Sequence, residues 1–448
     1  MRNTILWTTL IAAVIGLTIT AQTATLHVSA ETGGSVRKAD GSKENPWKDL
    51  QVALNKAEPG DTILVAAGNY LGTSDQGYLL MTIPVKIFGG YTTDFTTRDV
   101  LKNRTTVQPS PEQNATSRSF ALLSIGDPSK PRSFKAETEV VIDGLFFDRG
   151  FSNGYHPTKG KPADVETGML VNPPGQGSNG DADRVTTVAQ PLLYFANGFG
   201  DVTIRNSLFA NGANYAIRGS WSQGTVTLKN NVFVNNTYAA VELAGGGKSG
   251  EFSLKVECAY NTMLFNWART NDLGDMGYGY RYMNNANTDI NHCIIGGSTL
   301  SGLDRTRVES MKSDEDKKQT GAENNGFFLN KQADLTLPSG GGKFLRVWAK
   351  DFEDREELYK YEGNVELSGE LFKGKINAAY LDGFISANNT ETVLLDRNSP
   401  ANQFRSAFGM NLQAEGSTKV DMFANRYPLE DALKLFGAVD GKGAQLPE

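Results

Sequence analysis

The feature that most constrains this chain is a repeat of short apolar strands, each followed by a polar corner, at a spacing near one solenoid coil. The segments V-V-I-D-G-L-F-F (140–147), V-T-I-R-N-S-L-F (202–209), V-T-L-K-N-N-V-F (226–233), Y-N-T-M-L-F (260–265) and D-I-N-H-C-I-I (289–295) stack in register. The alignment puts Gly144, Asn206, Asn230, Asn261 and His292 in one column, with steps of 62, 24, 31 and 31 residues. Recurrence at 20–30 residues with Asn at one corner is the mark of a parallel β-helix. A single coil is too thin to bury its own apolar face, so it is stabilised by the coils above and below. Asn tolerates left-handed backbone angles and can bond to the Asn one coil away. The same spacing extends upstream, where Val85-Lys86-Ile87 follows Ile63-Leu64-Val65 by 22 residues and Thr105-Thr106-Val107 comes 20 later. The core positions this predicts are Val85, Ile87, Ile142, Ile204, Leu228 and Ile290.

The ends of the chain differ in texture from this repeat. Arg2, an apolar run from Ile5 to Ile19 and the small-residue stretch ending at Ala24 have the layout of a secretory signal peptide. The run is shorter than the roughly 20 residues that span a bilayer, so the mature chain is expected to be exported and free of a membrane span, in the periplasm, at the cell surface or outside the cell. Next, Asn45 and Pro46 suit the start of a helix carrying Trp47, Leu50, Val52 and Leu54, which Pro59-Gly60 stops. A lone helix before a run of strands predicts a cap on the solenoid end. Past residue 300, the charged stretch from Asp304 to Asn325 reads as a solvated loop or loose helix, and Tyr427-Pro428 to Phe436 as a short helix stopped by Gly437. The expected organisation is a signal peptide at 1–24, a β-helix at 25–300, and a C-terminal extension at 301–448 that packs on or continues it.

Composition narrows the partners. The net charge is −6 with acids and bases interspersed, so neither nucleic acid nor an anionic membrane is an attractive ligand. Two Cys and three His leave no zinc-type cluster. The register keeps Cys258 and Cys293 out of stacked positions, which predicts two free thiols. The abundant 48 Gly agree with tight turns between short strands.

The stretch G-D-T-I-L-V-A-A-G-N-Y, followed by I-F-G-G-Y and T-T-V-Q-P, resembles the opening coils of secreted bacterial right-handed parallel β-helix proteins of the pectin-lyase-like superfamily. The resemblance covers about residues 41–300 and implies an all-β right-handed solenoid. It also implies a choice among polysaccharide lyase, glycoside hydrolase, epimerase and non-catalytic surface protein. The R-x-P-x-x-R element of calcium-dependent pectate lyases is missing, as is the G-H-G element of polygalacturonase-type hydrolases, so no family's catalytic residues transfer.

Chemistry is sought on one column and one corner. Arg218 lies twelve residues past Asn206, Glu242 twelve past Asn230, and Arg281 sits in the matching Y-G-Y-R of the next coil. Stacked, they form a basic, acidic, basic column, which reads either as an ion-pair ladder or as a catalytic set. The corner that is short at 211–215 and 235–238 is long at 149–167 and 266–277, which predicts a trough. Its floor would hold Asn211, Asn214, Tyr215, Asn235, Asn236 and Tyr238. One wall would carry Tyr155, His156, Lys159 and Lys161, the other Trp267, Arg269, Asp272 and Asp275. Amides, rings and guanidinium groups suit sugar hydroxyls, sugar faces and uronate carboxylates.

For β-elimination on a uronic-acid polymer, Arg218 or Arg281 would neutralise the carboxylate. His156, Lys159 or Tyr155 would take the proton or protonate the leaving oxygen. Hydrolysis would need Glu242 with Asp272 or Asp275. No cofactor is expected, the alternative being a Ca²⁺ held by Asp272 and Asp275. The expected partner is an anionic polysaccharide bound by a monomer. A non-catalytic adhesive solenoid is the second reading, and glycoside hydrolysis the third.

Overall fold

The computed structural model describes residues 23–71, 78–108, 121–149, 191–212, 214–246, 253–267, 277–308, 317–339, 343–377, 380–381, 406 and 426–448, with the backbone of 169–171 and 423–425. Most of the stretch expected to be a signal peptide, and most of both expected trough walls, lie outside these residues.

The strands stack in parallel on three faces. The first face runs from Thr25–Val28 through Thr62–Ala66, Lys86–Tyr91 and Lys135–Asp143, and then through the C-terminal halves of Leu193–Arg205 and Ile217–Lys229. It ends on Leu254–Ala259, Ala286–Asn291 and Gly321–Glu323. Its inward column is Ile63, Ile87, Ile142, Ile204, Leu228, Cys258, Ile290 and Ala322, all in register. Every one of the predicted positions Val85, Ile87, Ile142, Ile204, Leu228 and Ile290 is fully buried in one apolar core. With parallel crossovers coiling in the right-handed sense they take, the fold is a right-handed parallel β-helix.

Two details of the early register differ from the sequence reading. Ile63 pairs with Ile87 rather than Val85, and Thr105–Val107 pairs with Gly68–Tyr70 on the second face. The capping helix is Leu50–Lys56; Asp49, not Asn45, caps it by accepting from the Gln51 N–H at 2.8 Å. Trp47 precedes the helix and bridges to Val28 and Gly34.

Between the first and second faces the chain turns through left-handed residues. Gly144, Asn206, Asn230, Tyr260, His292 and Asn324 all have φ between 50° and 74°. Tyr260 therefore holds the place expected for Asn261. At Gly144 (φ 74°) a Cβ would also lie 2.9 Å from the Val100 side chain, so glycine is required there. Asn261 belongs one position further, to a buried ladder of Ser207, Asn231, Asn261, Cys293, Asn325 and Asn364. Within it each Asn carbonyl accepts the backbone N–H of the coil before: Ser207 to Asn231 at 3.0 Å, Asn231 to Asn261 at 2.9 Å, Cys293 to Asn325 at 2.9 Å. Cys293 takes one rung, its sulfur lying 3.4 Å from the Asn261 nitrogen. Cys258 is in register with Ile290 and not with Cys293, as expected, yet it turns into the same corner, and the two free thiols lie 4.0 Å apart.

The second face is apolar on both sides. Inward, Phe147, Phe209 and Phe233 stack with centroids 4.8 and 4.9 Å apart and planes within 10°. Outward, Phe146, Leu208, Val232, Leu264 and Ile294 meet Phe372, Tyr380, Tyr427, Leu435 and Phe436 in a second buried cluster. The C-terminal segment thus lies along the side of the solenoid, with a short helix at Leu429–Leu433 and Gly437 (φ 69°) after it. Parallel pairing itself continues past residue 300, through Ser301–Asp304, Gly326–Phe328, Ala333–Pro338 and Val365–Glu366. Phe344–Val347 then closes the third face as an antiparallel strand.

Candidate functional site

The third face carries the predicted charged column. Its strands are Leu79–Met81, Leu123–Ile125, the N-terminal halves of Leu193–Arg205 and Ile217–Lys229, then Ala239–Gly245, Tyr278–Arg281, Ser301–Asp304 and Ala333–Pro338. Alternation sends Leu193, Ile217, Val241, Tyr280, Leu303 and Leu335 inward. Their chain neighbours Ser124, Tyr194, Arg218, Glu242, Arg281, Asp304 and Thr336 then form one outward column in consecutive register.

The column is a hydrogen-bonded chain. Arg218 Nε donates to Glu242 Oε1 at 3.0 Å, and Arg281 Nη1 approaches Glu242 Oε2 at 3.5 Å. Arg281 Nε donates to Asp304 Oδ2 at 2.7 Å, and Asp304 Oδ1 accepts from Thr336 Oγ1 at 2.7 Å. Thr306 donates to Asp304 as well, through its N–H and hydroxyl. The sequence placed Arg218, Glu242 and Arg281 together, and they are together. A surface ladder was expected, and that is corrected for all but Arg218: Glu242 and Arg281 are 6 and 4% exposed, and Asp304, which extends the column, is 0% exposed. Burial on its own would lower the Arg281 pKa, but Asp304, Tyr278, Tyr215 and Glu242 reverse this and hold the guanidinium charged.

Arg218 is the exposed end. Its side chain is 46% accessible, and only Nε is engaged by a described residue. The guanidinium lies over the Tyr215 ring at 4.7 Å, and Arg281 lies over Tyr278 at 4.8 Å. Tyr215 stacks on Tyr238 at 5.2 Å and 11°. Burial, then the Glu242 charge, pushes the Tyr215 phenol well above its usual range, so it stays a neutral platform. On the other side, Tyr194 is the register neighbour of Arg218 and is partly exposed. It lies one strand spacing away, about 4.8 Å along the stack.

The rest of the predicted trough floor is not open. Asn211 and Asn235 are left-handed corner residues joined at 2.8 Å. Asn211 bonds the Tyr427 backbone through both amide atoms, and Tyr380 donates to Asn235 at 2.9 Å. Asn236 is fully buried and accepts the Gly212 N–H at 3.0 Å, while Asn214 and Trp267 are buried too. These residues hold the corner and its cover; of the expected sugar contacts among the described residues, Tyr238 is partly exposed and Tyr215 is buried. Tyr155, His156, Lys159, Lys161, Arg269, Asp272 and Asp275 lie outside the described residues. No group of three or more His, Cys, Asp or Glu able to hold a metal occurs among the described residues.

Asp304, Tyr278 and Tyr194 were missed from the sequence. A signal for two of them was present: Y-A-I-R (215–218) and Y-G-Y-R (278–281) repeat Tyr and Arg three apart. S-G-L-D (301–304) follows in the same frame, with Asp in the place of Arg.

No family model matches the chain. No curated relative matches it either. Among solved structures it is similar to a GH136 lacto-N-biosidase from Eubacterium ramulus, at 9% identity over 70% of this chain and 57% of that one, TM-score 0.30. It is similar also to pectate lyase Pel9A, at 11% identity over 89% of this chain and 90% of that one, TM-score 0.27. XylC in complex with xylose aligns at 11% identity over 69% of this chain and 62% of that one, TM-score 0.32. The chain thus spans less than two thirds of the length of the first and third. Likeness at this level assigns no activity.

Proposed function

We propose that the protein binds a uronic-acid-containing polysaccharide across its third face, with Arg218 receiving a sugar carboxylate. The observation that carries this reading is that Arg218 is half-exposed yet fixed: its Nε is held by buried Glu242 and its guanidinium rests on the Tyr215 ring, while no hydrogen bond to a described residue takes its two terminal nitrogens. A guanidinium positioned in advance needs little reorganisation when a carboxylate arrives and can grip it through two parallel bonds. Tyr194 and Tyr238 on either side offer ring faces to sugar rings. The leader read at residues 1–24 agrees with a protein that meets its polymer after export.

Cleavage by β-elimination is the more specific part of the proposal. Arg218 would neutralise the carboxylate so that the proton at C5 becomes acidic, and the base would come from the 149–167 loop, where His156 and Lys159 are the candidates. Hydrolysis fits less well, because both oxygens of Glu242 face guanidinium groups and neither is presented to a glycosidic bond.

The test is a titration at low salt with a uronic-acid polymer and with the same polymer after reduction of its carboxyl groups, followed by ultraviolet absorbance for the unsaturated product. The acidic polymer is expected to bind at least tenfold tighter than the reduced one, and the difference to shrink as salt is raised. Equal affinity for both would remove Arg218 as a carboxylate receptor. Tight binding without absorbance growth would favour the non-catalytic solenoid.

A further inference from the structure

A groove lined by paired basic side chains lies at the corner between the first and second faces. Arg98, Asp143, Arg205, Asn206, Lys229, Asn230, Tyr260 and the tail residues Gln445, Leu446 and Glu448 line a groove of about 560 Å³. Its floor is built by register: Asp143, Arg205 and Lys229 are consecutive partners on the first face. Asp143 is 1% exposed and is the anchor. It accepts from Arg98 Nη2 at 2.5 Å, Arg205 Nε at 2.7 Å and Asn206 Nδ2 at 2.9 Å.

Arg205 repeats the arrangement of Arg218 at a different corner. Its Nε is fixed by a buried carboxylate, its side chain is 45% accessible, and no described residue takes its terminal nitrogens. Lys229, one coil on, is exposed and makes no contact to a described acid. The Asn230 amide links back to Asn206 at 2.8 Å and holds the Gln445 backbone on both sides, so the tail forms a fixed wall. Tyr260 closes the groove at the next coil, braced by His292 stacked on it at 5.0 Å. Arg205 and Lys229 thus present neighbouring cationic groups along the groove, above the buried carboxylate of Asp143.

We infer that this corner groove is a second binding site for an acidic sugar residue, with Arg205 and Lys229 clasping its carboxylate and Tyr260 its ring. Two donors about 4.8 Å apart along the stack match one carboxylate bridged between them. A ring beside a cation suits a sugar better than a bare ion. The ligand class is shared with the proposal for Arg218, but the residues, the face and the anchoring acid are all different.

Calorimetric titration of the full chain with a uronate tetrasaccharide, its carboxyl-reduced form and inorganic sulfate tests this. The wild type is expected to take up two tetrasaccharides, and Lys229→Glu and Arg218→Ala one each. The pair of substitutions together should take up none, and the reduced form and sulfate should bind at least tenfold more weakly. Lys229→Gln, with the smaller charge change, should weaken the corner site by several fold and serves if Lys229→Glu melts early. A single equivalent lost in Lys229→Glu and kept in Arg218→Ala would support the corner groove while removing the site on the third face. Unchanged stoichiometry and affinity in both Lys229 variants would overturn the corner site, and sulfate binding as tightly as the tetrasaccharide would overturn its assignment to sugar.

Discussion

Arg281→Ala is expected to destabilise the folded chain by about 3–5 kcal/mol, the usual cost of removing one partner from a buried ion pair. The guanidinium lies between Asp304, bound at 2.7 Å, and Glu242, at 3.5 Å, and all three side chains are buried. Among the described residues, truncation would leave Asp304 with the Thr306 and Thr336 donors and Glu242 with Arg218 and Tyr215. It would also remove the cation lying over Tyr278. Urea denaturation compared with wild type measures the loss directly. A change under about 1 kcal/mol would mean that the middle of the column is solvated after all and behaves as a surface pair.

Phe209→Ala should be comparably costly, roughly 3–5 kcal/mol, because it empties the middle of a three-ring stack. Phe147 and Phe233 press on it from the coils below and above, and Leu208 and Ala210 beside it face the second cluster. The coils on either side are held apart by fixed backbone ladders, so the site cannot collapse along the stack to fill the void. In a solenoid, stability is shared between neighbouring repeats, so hydrogen exchange should speed first at Leu208–Ala210 and the strands stacked on it. A melting temperature within a degree of wild type would show that the rings are not packed.

The inward column was legible in the sequence because apolar residues such as Ile142, Ile204, Leu228 and Ile290 recur at coil spacing, and only a parallel stack brings them into line. The corner was legible except at one rung. In Y-N-T-M the sequence offers an Asn one position late, and counting Asn residues selects Asn261, whereas the backbone puts Tyr260 in the left-handed turn. A bulky residue with positive φ is uncommon. Here its ring stacks on His292, and Asn261 is left to bond inside the ladder. That one-residue slip does not account for the cysteines: Cys258 is in register with Ile290, and its thiol meets that of Cys293 because both turn into the core at the same corner.

At the site, repeat spacing was enough to bring Arg218, Glu242 and Arg281 together. The burial of Glu242 and Arg281 was not readable, since it depends on what covers the third face and alternation says only which side chains point outward. The floor amides failed for a related reason. Asn211 and Asn235 look like exposed loop residues, but the C-terminal segment, more than 200 residues later for Asn211, bonds directly to them. No local pattern announces such a cover. Trp267, expected on a wall, is likewise a buried member of that second cluster.

On this reading, Arg218 can receive a ligand because the rest of its column is already satisfied. Arg218→Ala leaves Glu242 paired with Arg281 and removes only a half-exposed group, so it should cost no more than about 1 kcal/mol of stability. A uronate tetrasaccharide titrated at low salt into wild type and Arg218→Ala, with melting curves on the same samples, reads both quantities at once. The account predicts loss of the third-face binding event with a melting temperature within about two degrees of wild type, as a change of this size implies for a large domain. A variant that unfolds early while retaining the full binding isotherm would show that Arg218 is a structural end of the ladder and that the ligand binds elsewhere.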